Sequence, residues 1–502
     1  MPDASAKVSE LRRRWARIED LDKVKNLLSW DMNVYMPPGG AEGRGRQLAT
    51  VQLLHQEHLV DPAFADLVAE LEGAGLEPER PEAAMVREAR RRLDHASRVP
   101  AELVGELAEH ASRARTAWIK ARQDDDFALF APQLERMLEL KRAEAEAVGY
   151  LHHPFDALHE QFEPDSTAAG LKRIFEPMRA ELVTLLSAIK ATGITPADGF
   201  LRLEFDEAAQ QRFGVEIAKA FGYEFERGRL DRTVHPFAIA VNQGDVRITT
   251  RYAKDFLGMA MFGTFHEAGH AIYEQGVSPE YDRTPLSEGV SLGMHESQSR
   301  MYENLVGRSR PFWEWAYPRL QGSFPGQLGG VGLGRFYAAV NRVQPSLIRV
   351  EADEVTYNLH ILVRFELELA LLEGDLAVRD LPAAWNDRFR DYLGITPPND
   401  RLGCLQDVHW SSGGFGYFPT YALGNLIGAQ LFAAASQANP GLEDDFRAGR
   451  FERLLAWLRE HVHRHGRRYP PTELLRRATG KELDSSYFLN HLRTKFSGLY
   501  AL

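Results

Sequence analysis

The chain has 502 residues, with 60 Lys and Arg against 71 Asp and Glu for a formal net charge of −11, and 44% of it is hydrophobic. That balance argues against nucleic acid as the main partner and supplies enough apolar residues for a substantial core. One cysteine, Cys404, excludes an intrachain disulfide and fits a reducing cytoplasm. No run of 18 apolar residues predicts a membrane span, and the charged, amphipathic N-terminus lacks the apolar centre of a secretory signal.

Residues 1–150 are rich in Ala, Glu, Arg and Leu at helical spacing, as in 101–122 and 130–148, and read as long surface helices. The basic run Arg90-Arg91-Arg92 alternates with acids and reads as a solvated face. Helical, apolar-periodic sequence continues to about residue 235. The stretch 236–252, PFAIAVNQGDVRITTRY, then alternates around an Asn-Gln-Gly turn and predicts a hairpin. Asp245, Arg247 and Thr249 share one face of its second strand, whose edge can offer backbone hydrogen bonds to an extended peptide. From Lys254, KDFLGMAMFGTFHEAGHAIYEQG reads as an apolar helix stopped by Gly276 and Pro279. Gly263 and Gly269 lower its propensity and mark places where other backbone comes close. After a turn-rich stretch, SLGMHESQSRMYENLVG forms a second helix with a stripe of Met294, Ser297, Met301 and Leu305. A further helical stretch around Arg349 spaces Arg349 and Asp353 for an i, i+4 pair. His461, His463 and His465 read as a charged helix terminus and not as a second metal site. No linker-like stretch and no internal repeat divides the chain, so one domain over 1–502 is expected, predominantly α, with the hairpin beside the 254–276 helix.

The most specific pattern is His266-Glu267-Ala268-Gly269-His270. Histidines four apart on a helix share a face and can converge on one cation, while Glu267 projects beside them toward a metal-bound water as candidate general base. A catalytic zinc takes three protein ligands and leaves one position open. Glu274 is excluded as the third, because eight residues of straight helix separate it from His266 by about 12 Å. Spacing favours Glu296 on the second helix, with His295, Glu288, Asp282 and Glu303 as rivals.

The His266–His270 pattern is accompanied by His295-Glu296-Ser297-Gln298, Asp245-Val246-Arg247-Ile248-Thr249, Ile348-Arg349-Val350-Glu351-Ala352-Asp353 and Gly403-Cys404-Leu405-Gln406-Asp407-Val408-His409-Trp410. In these motifs and their order the chain bears a resemblance to the thermostable carboxypeptidase (carboxypeptidase Taq) family of metallocarboxypeptidases. Trp30-Asp31 with Met36-Pro37-Pro38-Gly39-Gly40, and Gly416-Tyr417-Phe418-Pro419-Thr420-Tyr421, extend it over nearly the whole chain.

The resemblance implies a large helical zinc-peptidase body with a deep central cleft, the first 150 residues forming a layer that limits access to unstructured peptides. It implies His266, His270 and Glu296 as ligands of one divalent ion, zinc or alternatively cobalt, with Glu267 as base. It further implies Arg349, then Arg247, as the cations that hold a substrate's free C-terminal carboxylate, and His409 with Tyr421 as donors to the developing oxyanion. The substrates expected are peptides with a free C-terminus, which lose single residues by attack of the metal-bound water. A cytoplasmic homodimer without nucleic-acid or membrane partners completes the expectation. Another zinc peptidase, cutting internally or releasing dipeptides, and a catalytically inactive helical binding protein remain as alternative readings.

Overall fold

The computed structural model describes residues 2–502. It is predominantly helical with one small sheet, and it divides into two compact units.

The first unit comprises Met1–Ser97, Ala197–Val340 and Ile427–Leu483. Its N-terminal helices, Pro2–Val34, Pro62–Glu72 and Pro81–Arg98, bury Leu11, Trp15, Phe64, Val68, Met85 and Leu93 in one cluster with Val277, Tyr281 and Leu286. The N-terminal residues thus pack directly on the segment that follows the His266–His270 helix. Arg92, expected on a solvated face, instead stacks on Trp15 at 5.4 Å and pairs with Glu288 at 3.2 Å.

The hairpin forms as expected, with β2 at Ala238–Asn242 and β3 at Asp245–Thr250, and Asn242 Oδ1 accepts from the Gly244 amide at 2.7 Å inside its turn. A third strand, β1 at Leu230–Arg232, pairs parallel with β3, giving the order β1-β3-β2. β3 is therefore the central strand, covered by β1 over Ile248–Thr250, which leaves no open edge along that half. β1 is only three residues long, too short to leave an alternating pattern in the sequence.

The helix Leu257–Gly276 packs against β3, and Thr250 donates to the Ala260 carbonyl at 3.3 Å. The second helix, Leu292–Arg300, starts at Ser291, whose Oγ accepts from the Met294 amide at 3.1 Å. It continues as a π-helical turn over Met301–Val306, a geometry that recurs at functional sites. A Cβ on Gly269 would lie 2.5 Å from the Gln298 carbonyl oxygen, so this glycine lets the two helices touch through backbone. The close approach expected from the sequence is met here.

The second unit comprises Arg98–Pro196, Asn341–Leu426 and Asp484–Leu502. Its helix Tyr357–Glu373 is buried nearly all round, including Arg364 and Glu368. The helix expected to carry Arg349 begins only at Tyr357. Pro345 interrupts the pattern upstream, and Arg349 sits in a one-turn 3-10 segment, Arg349–Glu351. Asp353 accepts from the Val355 and Thr356 amides at 3.0 Å instead of pairing with Arg349. Glu354 holds the C-terminal helix Ser486–Tyr500 through Lys495 at 2.5 Å and His491 at 2.6 Å. Among the described residues, no helix is long and apolar enough to cross a membrane.

Candidate active site

In the first unit, His266 and His270 leave the same face of their helix and meet Glu296 from the second. Nε2 of His266 lies 3.5 Å and Nε2 of His270 3.4 Å from Glu296 Oε2, and the three ligand atoms lie within 4.8 Å of one another. Among the described residues they make the one group of three able to hold a metal. The rivals take other places. Glu303 accepts from His266 Nδ1 at 2.9 Å, and His295 Nδ1 meets His270 Nδ1 at 2.7 Å. His295 in turn bonds Glu274 through Nε2 at 2.8 Å, and Glu288 pairs with Lys23 at 2.6 Å.

These outer bonds fix the tautomers. Glu274 accepts from His295 Nε2–H, which leaves His295 Nδ1 to accept from His270 Nδ1–H and turns His270 Nε2 toward Glu296 as a lone pair. Glu303 accepts from His266 Nδ1–H directly, which orients His266 Nε2 toward Glu296. Two imidazole nitrogens and one carboxylate oxygen, all oriented by outer partners, match the donor set of a catalytic zinc with an open fourth position, so these residues fit one divalent ion.

The electrostatics favour a cation. Burial opposes charge on Glu296, but Arg300 at 2.7 Å and the two histidines outweigh it and hold the carboxyl well below the usual range. Glu303 is likewise held at about 2, Arg300 and His266 outweighing burial. Burial drives the His270 pKa down to about 4, whereas at His266 the Glu296, Glu303 and Glu267 carboxylates overcome burial and raise it to about 9. Glu267 is 6% exposed, and its burial, reinforced by Glu296 and Glu303, raises its pKa to about 7. Among the described residues no donor bonds its carboxylate, which leaves it able to take a proton.

Arg247, on β3, makes two parallel bonds to Asp245, Nε to Oδ1 at 2.8 Å and Nη2 to Oδ2 at 2.6 Å. Its guanidinium lies 4.1 Å from the Trp30 ring, and Arg229, itself held by Asp231, stacks on the same indole at 5.2 Å. The Trp30-Asp31 motif therefore supports the sheet from the end of the first helix. Asp31 meanwhile pairs with Arg44 at 2.7 Å.

In the second unit, Arg349, His409 and Tyr421 come together around Asp407. Arg349 donates to Asp407 Oδ1 from Nε and Nη2, both at 3.4 Å, and lies 4.7 Å from the Tyr421 ring. Arg364, fully buried, donates to Asp407 Oδ2 at 2.6 Å. Two guanidiniums thus share one carboxylate, which is held far below its usual pKa because they outweigh its burial. His409 Nδ1 stands 3.7 Å from Asp407 Oδ1, and burial lowers its pKa to about 4, leaving a neutral imidazole. Gly416 is fixed on both sides, its amide donating to Glu368 at 3.1 Å and its carbonyl accepting from His159 Nδ1 at 2.7 Å.

Residues 10–496 match the family model described as carboxypeptidase Taq (M32) metallopeptidase. The chain belongs to this family. It is accordingly a metallocarboxypeptidase, and the family implies a divalent metal and peptide substrates. The enzyme is 45% identical over 485 residues to thermostable carboxypeptidase 1 of Thermus thermophilus, covering 94% of this chain and 95% of that protein. It is similar to the crystal structure of the M32 carboxypeptidase from Deinococcus radiodurans R1, with 43% identity, a TM-score of 0.96 and coverage of 99% and 100% of the two chains. It also resembles the solved metallocarboxypeptidase 1 of Trypanosoma cruzi, at 34% identity, a TM-score of 0.94 and coverage of 98% and 99%.

Sequence reasoning missed the outer partners of this enzyme's site. Glu303 and His295 figured only as rival ligands, and Glu274 only as an excluded one. Arg364 and Glu368 passed unremarked, although charges within the apolar run YNLHILVRFELELALLE are a usable signal, since such groups are rarely buried without partners. His463 was expected at a charged terminus. It is instead buried, bonds Gln298 of the second motif at 2.9 Å, and has its pKa pushed down to about 3 by burial.

Proposed function

We propose that the enzyme releases single residues from the free C-terminus of peptides, with one divalent ion held by His266, His270 and Glu296. The observation that carries this reading is the convergence of those three ligand atoms within 4.8 Å, with the outer nitrogens of both imidazoles already engaged. The donor set suits zinc, with cobalt as a substitute. An ion bound there would polarise the scissile carbonyl and bring the pKa of a water toward neutrality.

Glu267 takes a proton from the attacking water and returns it to the leaving amine. Its burial, with the Glu296 and Glu303 carboxylates beside it, favours proton uptake, as a base in this exchange requires. His409, uncharged, is a donor for the oxygen on which charge develops, and the Tyr421 hydroxyl is a second. Arg349 anchors the substrate carboxylate. The charge count supports this choice: Arg247 is matched one for one by Asp245, whereas Arg349 and Arg364 divide Asp407 and leave one positive charge in excess. Arg247 then serves as a secondary contact along the peptide.

The first 150 residues would limit access to unstructured chains. In support, the first helix reaches the hairpin through Asn26, which donates to the Ala240 carbonyl at 3.1 Å, and through Trp30 against Arg247. A cytoplasmic location is in keeping with the free, buried Cys404, and a homodimer with the family resemblance. The test is a short peptide and its C-terminally amidated twin incubated with the zinc-loaded enzyme and read by mass spectrometry. Single residues should leave the free acid only. Release of dipeptides, internal cuts, or equal attack on the amide would overturn the reading.

A further inference from the structure

Arg364 is a guanidinium with no exposed surface, on a largely apolar, buried helix that also encloses Asn358, His360 and Glu368. Replacing such a group by a hydrophobe of similar volume commonly stabilises a protein, so stability alone gives little reason for an arginine here. Its hydrogen bonds give a better one. Nε donates to Asp407 Oδ2 at 2.6 Å, Nη2 to Gln406 Oε1 at 2.7 Å, and Nη1 to the His360 carbonyl at 2.7 Å, one turn back on its own helix. Its flat face lies 4.6 Å from the Trp385 ring. Arg364 cannot touch a substrate, because all of it is enclosed.

Two of its three acceptors, Asp407 and Gln406, also hold Arg349. Asp407 accepts from the Arg349 side chain through its other oxygen, and Gln406 Oε1 accepts from the Arg349 backbone amide at 3.1 Å. Gln406 is itself fixed by donating to the carbonyls of Leu347, Leu402 and Gly403. The distances are unequal in an informative way. Arg364 grips Asp407 at 2.6 Å while both Arg349 contacts are 3.4 Å, so the carboxylate is committed to the buried cation and leaves Arg349 with binding capacity to spare. Tyr357, seven residues before Arg364 and so two turns away on the same helix face, accepts from Arg349 Nη1 at 3.2 Å.

We propose that the helix Tyr357–Glu373 is the positioning element for Arg349: Arg364 acts on it through Asp407 and Gln406, and Tyr357 by direct contact. The inference rests on the reading of Arg349 as the carboxylate anchor, and its test separates the two. Steady-state kinetics on a short peptide with a free C-terminus are measured for Arg364→Lys, Tyr357→Phe, Arg349→Lys and the Arg349→Lys/Arg364→Lys double variant. A lysine ammonium cannot reproduce three hydrogen bonds in a fixed plane. Arg364→Lys should raise KM about tenfold and Tyr357→Phe about threefold, each with kcat within about twofold of wild type, the pattern of lost substrate binding. In the Arg349→Lys background, Arg364→Lys should change KM by less than about twofold, because both substitutions remove one interaction.

Multiplying effects in the double variant, or a fall in kcat at constant KM, would overturn the positioning role and leave Arg364 a purely structural group. An unchanged KM in Arg349→Lys would overturn the anchor reading itself. A raised KM in Arg349→Lys with no change in Arg364→Lys and Tyr357→Phe would overturn the positioning role alone. Thermal melts followed by circular dichroism accompany each variant. Where Arg364→Lys does not fold, Tyr357→Phe decides, since it removes one hydroxyl and keeps the ring.

Discussion

Gly269→Ala puts the contact between the two ligand-bearing helices under direct strain. The added Cβ would lie 2.5 Å from the Gln298 carbonyl oxygen and 2.7 Å from Ser299 Cα, and these are backbone atoms that cannot swing aside. Restoring van der Waals contact requires the helices to part by about 1 Å. Alanine in place of a mid-helix glycine gains up to about 1 kcal/mol of helix propensity, whereas overpacking a close contact costs about 1–3 kcal/mol, so the net change is a loss of up to about 2 kcal/mol. The effect on the metal is the sharper signal. His266 and His270 stand on one helix and Glu296 on the other, and ligand distances tolerate only about 0.2 Å, so zinc affinity should fall by at least about tenfold. Competition with a chromophoric chelator measures that affinity, and calorimetry measures stability. Gly105→Ala is the control, because open space surrounds Gly105 and the substitution should be neutral or slightly stabilising. A Gly269→Ala enzyme with wild-type zinc affinity and an unchanged melting temperature would refute the reasoning.

Glu267→Gln should keep one zinc per chain while kcat drops by about 10²–10⁴, measured by metal analysis and peptide turnover on the same preparation. Glu303→Ala removes the acceptor at His266 Nδ1 and should weaken zinc binding by about 10–100-fold, with Glu303→Gln losing less because an acceptor remains. Glu354 supplies a pH dependence of stability. Lys495 and His491 outweigh its burial and lower its pKa from 4.5 to about 2, so the protonated carboxyl is disfavoured in the folded state. The stabilisation is fully present above about pH 4.5 and is lost as pH falls toward 2, amounting to on the order of 3 kcal/mol. Urea titrations across that range should show Glu354→Gln less stable than wild type at neutral pH, with the gap closing in acid. A constant gap would contradict the assignment.

Much of the site was legible because its first elements are local. Histidines four apart on an apolar helix specify a shared face without any knowledge of the tertiary fold, whereas spacing left Glu296 beside the rivals His295 and Glu303 on the next helix. The hairpin was readable from alternation around Gln243-Gly244. Contacts that join distant segments were not. β1 meets β3 in parallel from only three residues, and the pairing of Arg364 with Asp407 spans 43 residues of chain. Arg349 and Asp353 show the opposite failure, in which helical spacing predicted a pair that does not form because Asp353 accepts from the Val355 and Thr356 amides ahead of the helix while Arg349 turns to Asp407. Glu303 stood in the sequence as a rival for the metal. The π-helical turn that carries it directs the carboxylate to the back of His266, and i, i+4 reasoning does not anticipate that turn.

Anomalous diffraction at the zinc absorption edge, from crystals grown with zinc, tests the central claim most directly. The account predicts one strong peak per chain, within bonding distance of Nε2 of His266, Nε2 of His270 and the Glu296 carboxylate, and its loss in Glu296→Ala. A peak at His295 and Glu274 instead, or none bounded by those three residues, would contradict it.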